Sequence, residues 1–195
     1  MATGFGLVPV RHRNGSPYVG KSTMYFIPGT DASNIGINEC MKLVNAMDPT
    51  NQVPVVAQAA AGDALIGVVV GIVPNAAVPL NRVDRPASVG CYVLIADDPD
   101  IIFQIQEDAV GGAVSAANVG AHFNADIVVT STTANSSGVG VSLTMLDSST
   151  AAATSAQLKI MGVARDLTNA AAQTGGAVLE VEILEHALTA VDSIT

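Results

Sequence analysis

Two stretches of the chain carry residue types at spacings associated with nucleotide chemistry. Gly15 to Ser22 reads GSPYVGKS and satisfies the phosphate-binding pattern G-x-x-x-x-G-K-[ST]. Tyr92 to Asp98 reads YVLIADD, an apolar run ending in carboxylates of the kind that hold magnesium beside a bound triphosphate. In a nucleotide-binding enzyme Gly15 and Gly20 would shape the loop, Lys21 and Ser22 would meet the phosphates and the metal, and Asp97 or Asp98 would help to hold that ion. The loop works only when a helix follows it and points its first N–H groups at the anion. Here Lys21-Ser22 leads into TMYFIPG, where β-branched and aromatic residues dominate and Pro28-Gly29 stops any helix. The sequence therefore reads against an ATPase. Asp97, Asp98, Pro99 and Asp100 then read as a turn, in which Asp side chains cap local N–H groups and proline presets φ.

Other chemistry finds less support. Asp97, Asp98, Asp100, Glu107 and Asp108 offer oxygens to a hard cation such as calcium but lack the D-x-[DN]-x-[DN]-G spacing. His12, His122 and His186 are isolated, with no second histidine or cysteine at zinc-ligand spacing, and His186 is expected as a surface residue. Cys40 and Cys91 are far apart and in no C-x-x-C pair, so they are expected as reduced, buried thiols. No G-x-S-x-G elbow is present. No catalytic residue, cofactor or metal is expected, and the chain reads as a non-enzyme.

The elements that hold these residues follow from composition. The chain has 195 residues, 49% hydrophobic but only 4% aromatic and without Trp, so its core must be built from Val, Ile, Leu and Ala. Charged residues make up 13%, low for a monomer that solvates its whole surface, so partners are expected to cover part of it, a homo-oligomer among them. The longest apolar run, Ala64 to Pro74, is well short of the roughly 18 residues that span a bilayer, and no membrane association is expected. At the N-terminus the basic residues follow a short apolar run, the reverse of a secretory signal. Net charge is -9, and Arg11, Arg13 and Lys21 all precede the first acid, Asp31. The acidic body behind them repels nucleic acid.

Residues 1–30 are rich in Gly and Pro and have no helical period, which predicts an extended N-terminal arm. Within it Phe5, Leu7, Val8, Tyr18, Tyr25 and Phe26 are candidate apolar anchors and Arg11 and Arg13 candidate polar contacts to a partner or a sister chain. The alternative is that these residues fold back on their own core. Residues 31–195 read as one β-rich domain, an antiparallel sandwich or barrel. Ile35, Ile37, Met41 and Leu43 fall at strand spacing, although ECMKLVNAM could also make two helical turns. Ala59 to Pro74 reads as a strand pair turned at Gly62-Asp63 or as a bulged strand. In Ile101 to Gln106, Ile101, Phe103 and Ile105 share one face, and YVLIA is the expected hairpin partner. Val139, Val141, Leu143 and Met145 alternate with small polar residues, and Leu179, Val181 and Ile183 alternate with Glu180 and Glu182, as half-buried antiparallel strands do. Leu158 to Asp166 carries one more strand. TSTTANSSG (130–138) and DSSTAAATSA (147–156) read as loops.

Four segments, AAAGDALIGVVVGIVP, YVLIADDPDIIFQIQED, LKIMGVARD and VLEVEILEHAL, together resemble the head decoration, or cement, proteins of tailed bacteriophages. The resemblance runs over about Val53 to Leu188 and rests on strand texture and order. It implies a place on the outer surface of the virion capsid, bridging subunits of the major capsid protein, as a trimer in preference to a dimer. A tail or head-to-tail connector component is the structural alternative, and a nucleotide-binding enzyme using Gly15, Gly20, Lys21, Ser22 and Asp97 or Asp98 is the alternative of another class.

Overall fold

The computed structural model describes residues 4–78, 83–110, 112–129, 140–151, 155–165 and 176–189. Its strands in chain order are β1 (Val8–His12), β2 (Thr23–Ile27), β3 (Cys40–Met47), β4 (Pro54–Gln58), β5 (Gly67–Ile72), β6 (Cys91–Ala96), β7 (Ile101–Gln106), β8 (Asn124–Ala125), β9 (Ile127–Val128), β10 (Met145–Leu146), β11 (Leu158–Val163) and β12 (Val178–Ile183). One short helix, α1 (Ala116–Gly120), starts at Ser115, whose hydroxyl accepts the Asn118 N–H. The chain is thus mostly β, as the runs of β-branched residues dictate.

Five strands close a barrel in the order β2-β4-β3-β5-β6, and β1-β7-β12-β11-β8 form an open sheet. All neighbours are antiparallel except β2 and β4, which meet in parallel at Phe26 and Val55. Alternation along the barrel strands makes two cores. Tyr25, Ile27, Met41, Val56, Val69, Cys91, Val93 and Ile95 fill one core cluster among the barrel strands. Cys40, Val68 and Ala96 point the other way and pack with Phe103, Ile105, Ile160, Leu179 and Val181 of the sheet. Burying each large side chain of this kind contributes roughly 1.5–3 kcal/mol. Sheet and barrel therefore share a core.

Several expectations hold. β7, β11 and β12 lie where alternation puts them, with Ile101, Phe103 and Ile105 in the shared core. Both cysteines are free and buried. The DDPD turn is capped as expected, with Asp98 Oδ1 accepting the Asp100 N–H at 3.0 Å. Of the two readings of Ala59 to Pro74 the bulged strand holds, with β5 bulged between Val69 and Gly71, and the strand pair does not: the chain turns at Ala60–Asp63, but β4 and β5 lie on either side of β3. At Gly67 φ is +143° and a Cβ would overlap the Ala96 carbonyl, so only glycine lets β5 approach β6 there.

Five expectations are corrected. β7 does not pair with the YVLIA strand: DDPD hands the chain from β6 in the barrel to β7 in the sheet, where its partners are β1 and β12. Within the stretch expected as an extended arm, β1 pairs with β7 and β2 with β6, so these residues belong to the sheet and the barrel, as the fold-back alternative has it. Pro9 is tolerated because it sits on an edge strand beside a bulge. The strand expected from Ile35 starts only at Cys40, because Asn38 adopts φ +66°, although Ile35 and Ile37 still pack on the barrel core. Around Val141 the alternation is inverted, with Ser142 and Thr144 buried and Val141 and Leu143 half-buried. His186 is 1% exposed rather than a surface residue. Of the two expected loops, 130–138 lies outside the described residues, and 147–156 opens with a 3-10 turn at Ser148–Thr150.

Candidate functional site

The barrel carries an exposed hairpin tip made by the far half of β3 and the start of β4. β3 pairs with β5 only at Cys40 and Met41, so among the described residues only β4 accompanies it beyond Lys42. Its burial falls accordingly, from Cys40 and Met41 in the core to Val44, Asn45, Ala46 and Met47 in solvent. These four, with Leu43 and Pro54, line an open groove in which Met47 is 59% exposed. Residues 43–54 contain a single charged side chain, Asp48, and it is buried.

Asp48 holds the tip in shape. Its Oδ2 accepts the Asn51 N–H at 2.9 Å and the Tyr92 hydroxyl at 2.7 Å, while its own N–H donates to the Val53 carbonyl at 2.8 Å. The Tyr92 bond, helped by those to Asn51 and Thr50, holds the Asp48 carboxyl below its usual range, and Asp48 in turn raises the Tyr92 hydroxyl. Asn51 Nδ2 also bonds the Tyr92 hydroxyl. The Tyr92 ring packs on Phe26 with centroids 5.1 Å apart. The tip is therefore braced on β2 and β6 and presents Val44, Met47 and Pro54 to solvent beside the uncharged polar Asn45.

The residues expected to reach out from the N-terminus are placed differently. Leu7 is wholly buried in the shared core, and Val8 is half-buried in β1. Half-buried Phe5 gives its carbonyl to Asn38 Nδ2 at 3.1 Å. Tyr25 is buried and donates its hydroxyl to Asp97 Oδ2 at 2.9 Å; desolvation and that carboxylate raise its pKa. Tyr18 packs against the shared core and donates to the Lys21 carbonyl at 2.8 Å. Arg11 pairs with Glu180 at 2.7 Å and Arg13 with Glu182, so both cations are neutralised across the outer face of the sheet. What stays exposed of this stretch is the loop before β2, with Val19 82% exposed, and Met24 at its end.

The two nucleotide-like stretches do meet, but not as a phosphate site. Lys21 Nζ lies 3.7 Å from Asp98 Oδ2, Asp97 is engaged by Tyr25, and strand β2 stands where the helix would have to start. The other acids are used by backbone: Glu107 accepts from the Val114 and Ala177 N–H groups, and Asp108 from the Ser148 N–H. Among the described residues no group of three or more His, Cys, Asp or Glu side chains is arranged to hold a metal ion. None of the described helices is long and apolar enough to cross a membrane. No protein-family model, curated protein or solved structure matches the chain.

Strand spacing over Ile35 to Leu43 does not show which end of the strand keeps a single neighbour, so the hairpin tip is not legible there. The available signal is an apolar segment followed by the turn former DPTN, whose Asp48 is the one charge between Leu43 and Pro54.

Proposed function

We propose that the chain is a structural, non-enzymatic protein that binds the outer surface of a phage head, bridging and stabilising subunits of the major capsid protein as a homo-oligomer. The observation that carries this reading is the hairpin tip, where Val44, Ala46, Met47 and Pro54 stand exposed among uncharged polar neighbours on a chain of net charge -9. Such a surface suits a protein neighbour, and the acidic remainder suits solvent outside a shell. Arg11, Arg13, Lys21, Lys42 and Arg85 each have a carboxylate of their own within 4 Å, which speaks against a phosphate or nucleic-acid partner for them. Individually weak contacts suffice when an oligomer engages a lattice at several points, because each further contact is made at high effective concentration.

The corresponding experiment is the copy number of the chain in purified virions, by quantitative mass spectrometry against the major capsid protein. A fixed ratio with hundreds of copies supports decoration. A handful of copies moves the chain to the tail or connector, and absence refutes the structural reading.

A further inference from the structure

Glu39 precedes β3 and is 1% exposed. Its Oε1 accepts the Thr144 hydroxyl at 2.8 Å, while Oε2 has no hydrogen-bond partner; the Gln58 Nε2, also buried, has none either. The segments packed about it are residues 4–8, β4, β5 and 140–146, and none of them contains an Asp, Glu, His, Lys or Arg. The Cys40 thiol, which burial above all and then Glu39 push up, is the titratable group beside it, and Lys42 further along β3 is committed to Asp63 at 2.9 Å. The carboxyl therefore sits without a countercharge in surroundings that disfavour its ionised form.

The same place is a seam between three parts of the chain. Thr144, which bonds Glu39 through its hydroxyl, accepts the Gly6 N–H on its carbonyl at 3.2 Å. The Leu7 N–H donates to the Asn38 carbonyl at 3.0 Å, and the Ser142 N–H to the Ile37 carbonyl at 2.8 Å. At Gly6, where φ is +75°, a Cβ would overlap the Asn38 carbonyl, so the N-terminal segment is threaded against the residue next to Glu39. A change in charge on Glu39 is one side chain away from the bonds that hold residues 4–7.

We propose that Glu39 is a pH-sensitive latch: protonated, it closes the seam between the barrel, residues 140–146 and residues 4–7, and ionised, it loosens that seam. This goes beyond the capsid role and does not depend on it. Desolvation is the largest influence on the carboxyl and raises its pKa, opposed by the Thr144 hydroxyl bond and by the nearby polar side chains of Gln58 and Ser142. A group whose folded pKa is raised contributes stability that is fully present below the unfolded value, about 4.3 for Glu, and lost as pH rises through the folded value. Between the two values the folding constant falls up to about ten-fold per pH unit on this group's account.

Hydrogen exchange on the full chain from pH 5 to 8, corrected for intrinsic rates, provides the test, with Glu39→Gln as the permanently neutral comparison. Protection of the Gly6, Leu7, Ser142 and Thr144 amides is expected to drop as pH rises in the wild type and to stay level in E39Q. Equal protection profiles in the two proteins would overturn the latch. Should E39Q not fold, the side-chain carboxyl carbon of Glu39 is titrated by NMR in the wild type. A midpoint above that of ordinary glutamates supports the latch, and one at or below it refutes it.

Discussion

Arg85 is the side chain whose removal tests the barrel most severely. It is fully buried, and all five of its N–H donors are used: Nε to the Val89 carbonyl at 2.6 Å, Nη1 to Asp31 Oδ1 at 3.2 Å and the Ser33 carbonyl at 2.7 Å, and Nη2 to the Pro28 and Asp31 carbonyls at 2.9 and 3.0 Å. One guanidinium thus ties the turn after β2 to the approach to β6. Arg85→Met keeps much of the volume but strands the Asp31 carboxylate and four carbonyls. Breaking a buried ion pair from one side costs about 3–5 kcal/mol. Because Pro28, Asp31, Ser33 and Val89 are only half-buried, water recovers part of the carbonyl bonding, and about 4 kcal/mol in total is expected. For a chain of this size that lowers Tm by roughly 8–16 °C. Arg85→Lys, with three donors for five acceptors, should fall about midway, and Asp31→Asn should relieve part of the R85M loss. Thermal and urea unfolding followed by circular dichroism would measure all four proteins. R85M within about 1 kcal/mol of the wild type would refute the reasoning.

Further outcomes are expected elsewhere. Burial lowers the His186 pKa, so its contribution to stability is present above the unfolded value of about 6.5 and lost as pH falls through the folded value; His186→Leu should flatten that part of the stability-pH curve. Gly67→Ala should cost about 3 kcal/mol or more in urea unfolding, because its Cβ meets backbone, whereas Gly62→Ala, where φ is also positive but space is open, should cost about 1 kcal/mol. Arg13→Ala should destabilise more than Arg11→Ala, because Glu182 is 5% exposed and loses its cation in a buried place, whereas Glu180 keeps access to water and its pair contributes under about 1 kcal/mol; equal losses would show that burial of the acid does not matter.

The parts of the fold legible in the sequence were those fixed by local alternation. β7, β11 and β12 bury one face against the shared core and expose Gln104, Gln106, Lys159 or Glu180 on the other, at least in part, and that pattern survives any choice of neighbour. Neighbour choice was not legible. β6 is apolar on both faces, because one side belongs to the barrel core and Ala96 on the other to the sheet, so a turn after it looked like a hairpin. The strand state of β1 comes from the edge of β7 and from Glu180 and Glu182, which are distant in sequence from Arg11 and Arg13. The inward Ser142 and Thr144 break the usual rule because Glu39, itself buried, recruits a hydroxyl. Phe26 and Tyr25 were recognised as anchors, but what they anchor is the hairpin tip and the barrel wall.

The proposed structural role is tested most directly by adding purified protein to capsids stripped of it and measuring the amount that co-sediments, for the wild type and for Val44→Asp/Met47→Asp. Both substitutions lie on exposed positions, so folding stability should stay within about 0.5 kcal/mol of the wild type. Saturable binding at a fixed ratio to the capsid subunit, lost in the double variant, is the predicted result. A wild-type protein that fails to bind, or a double variant that binds equally well, would contradict a capsid contact made through the hairpin tip.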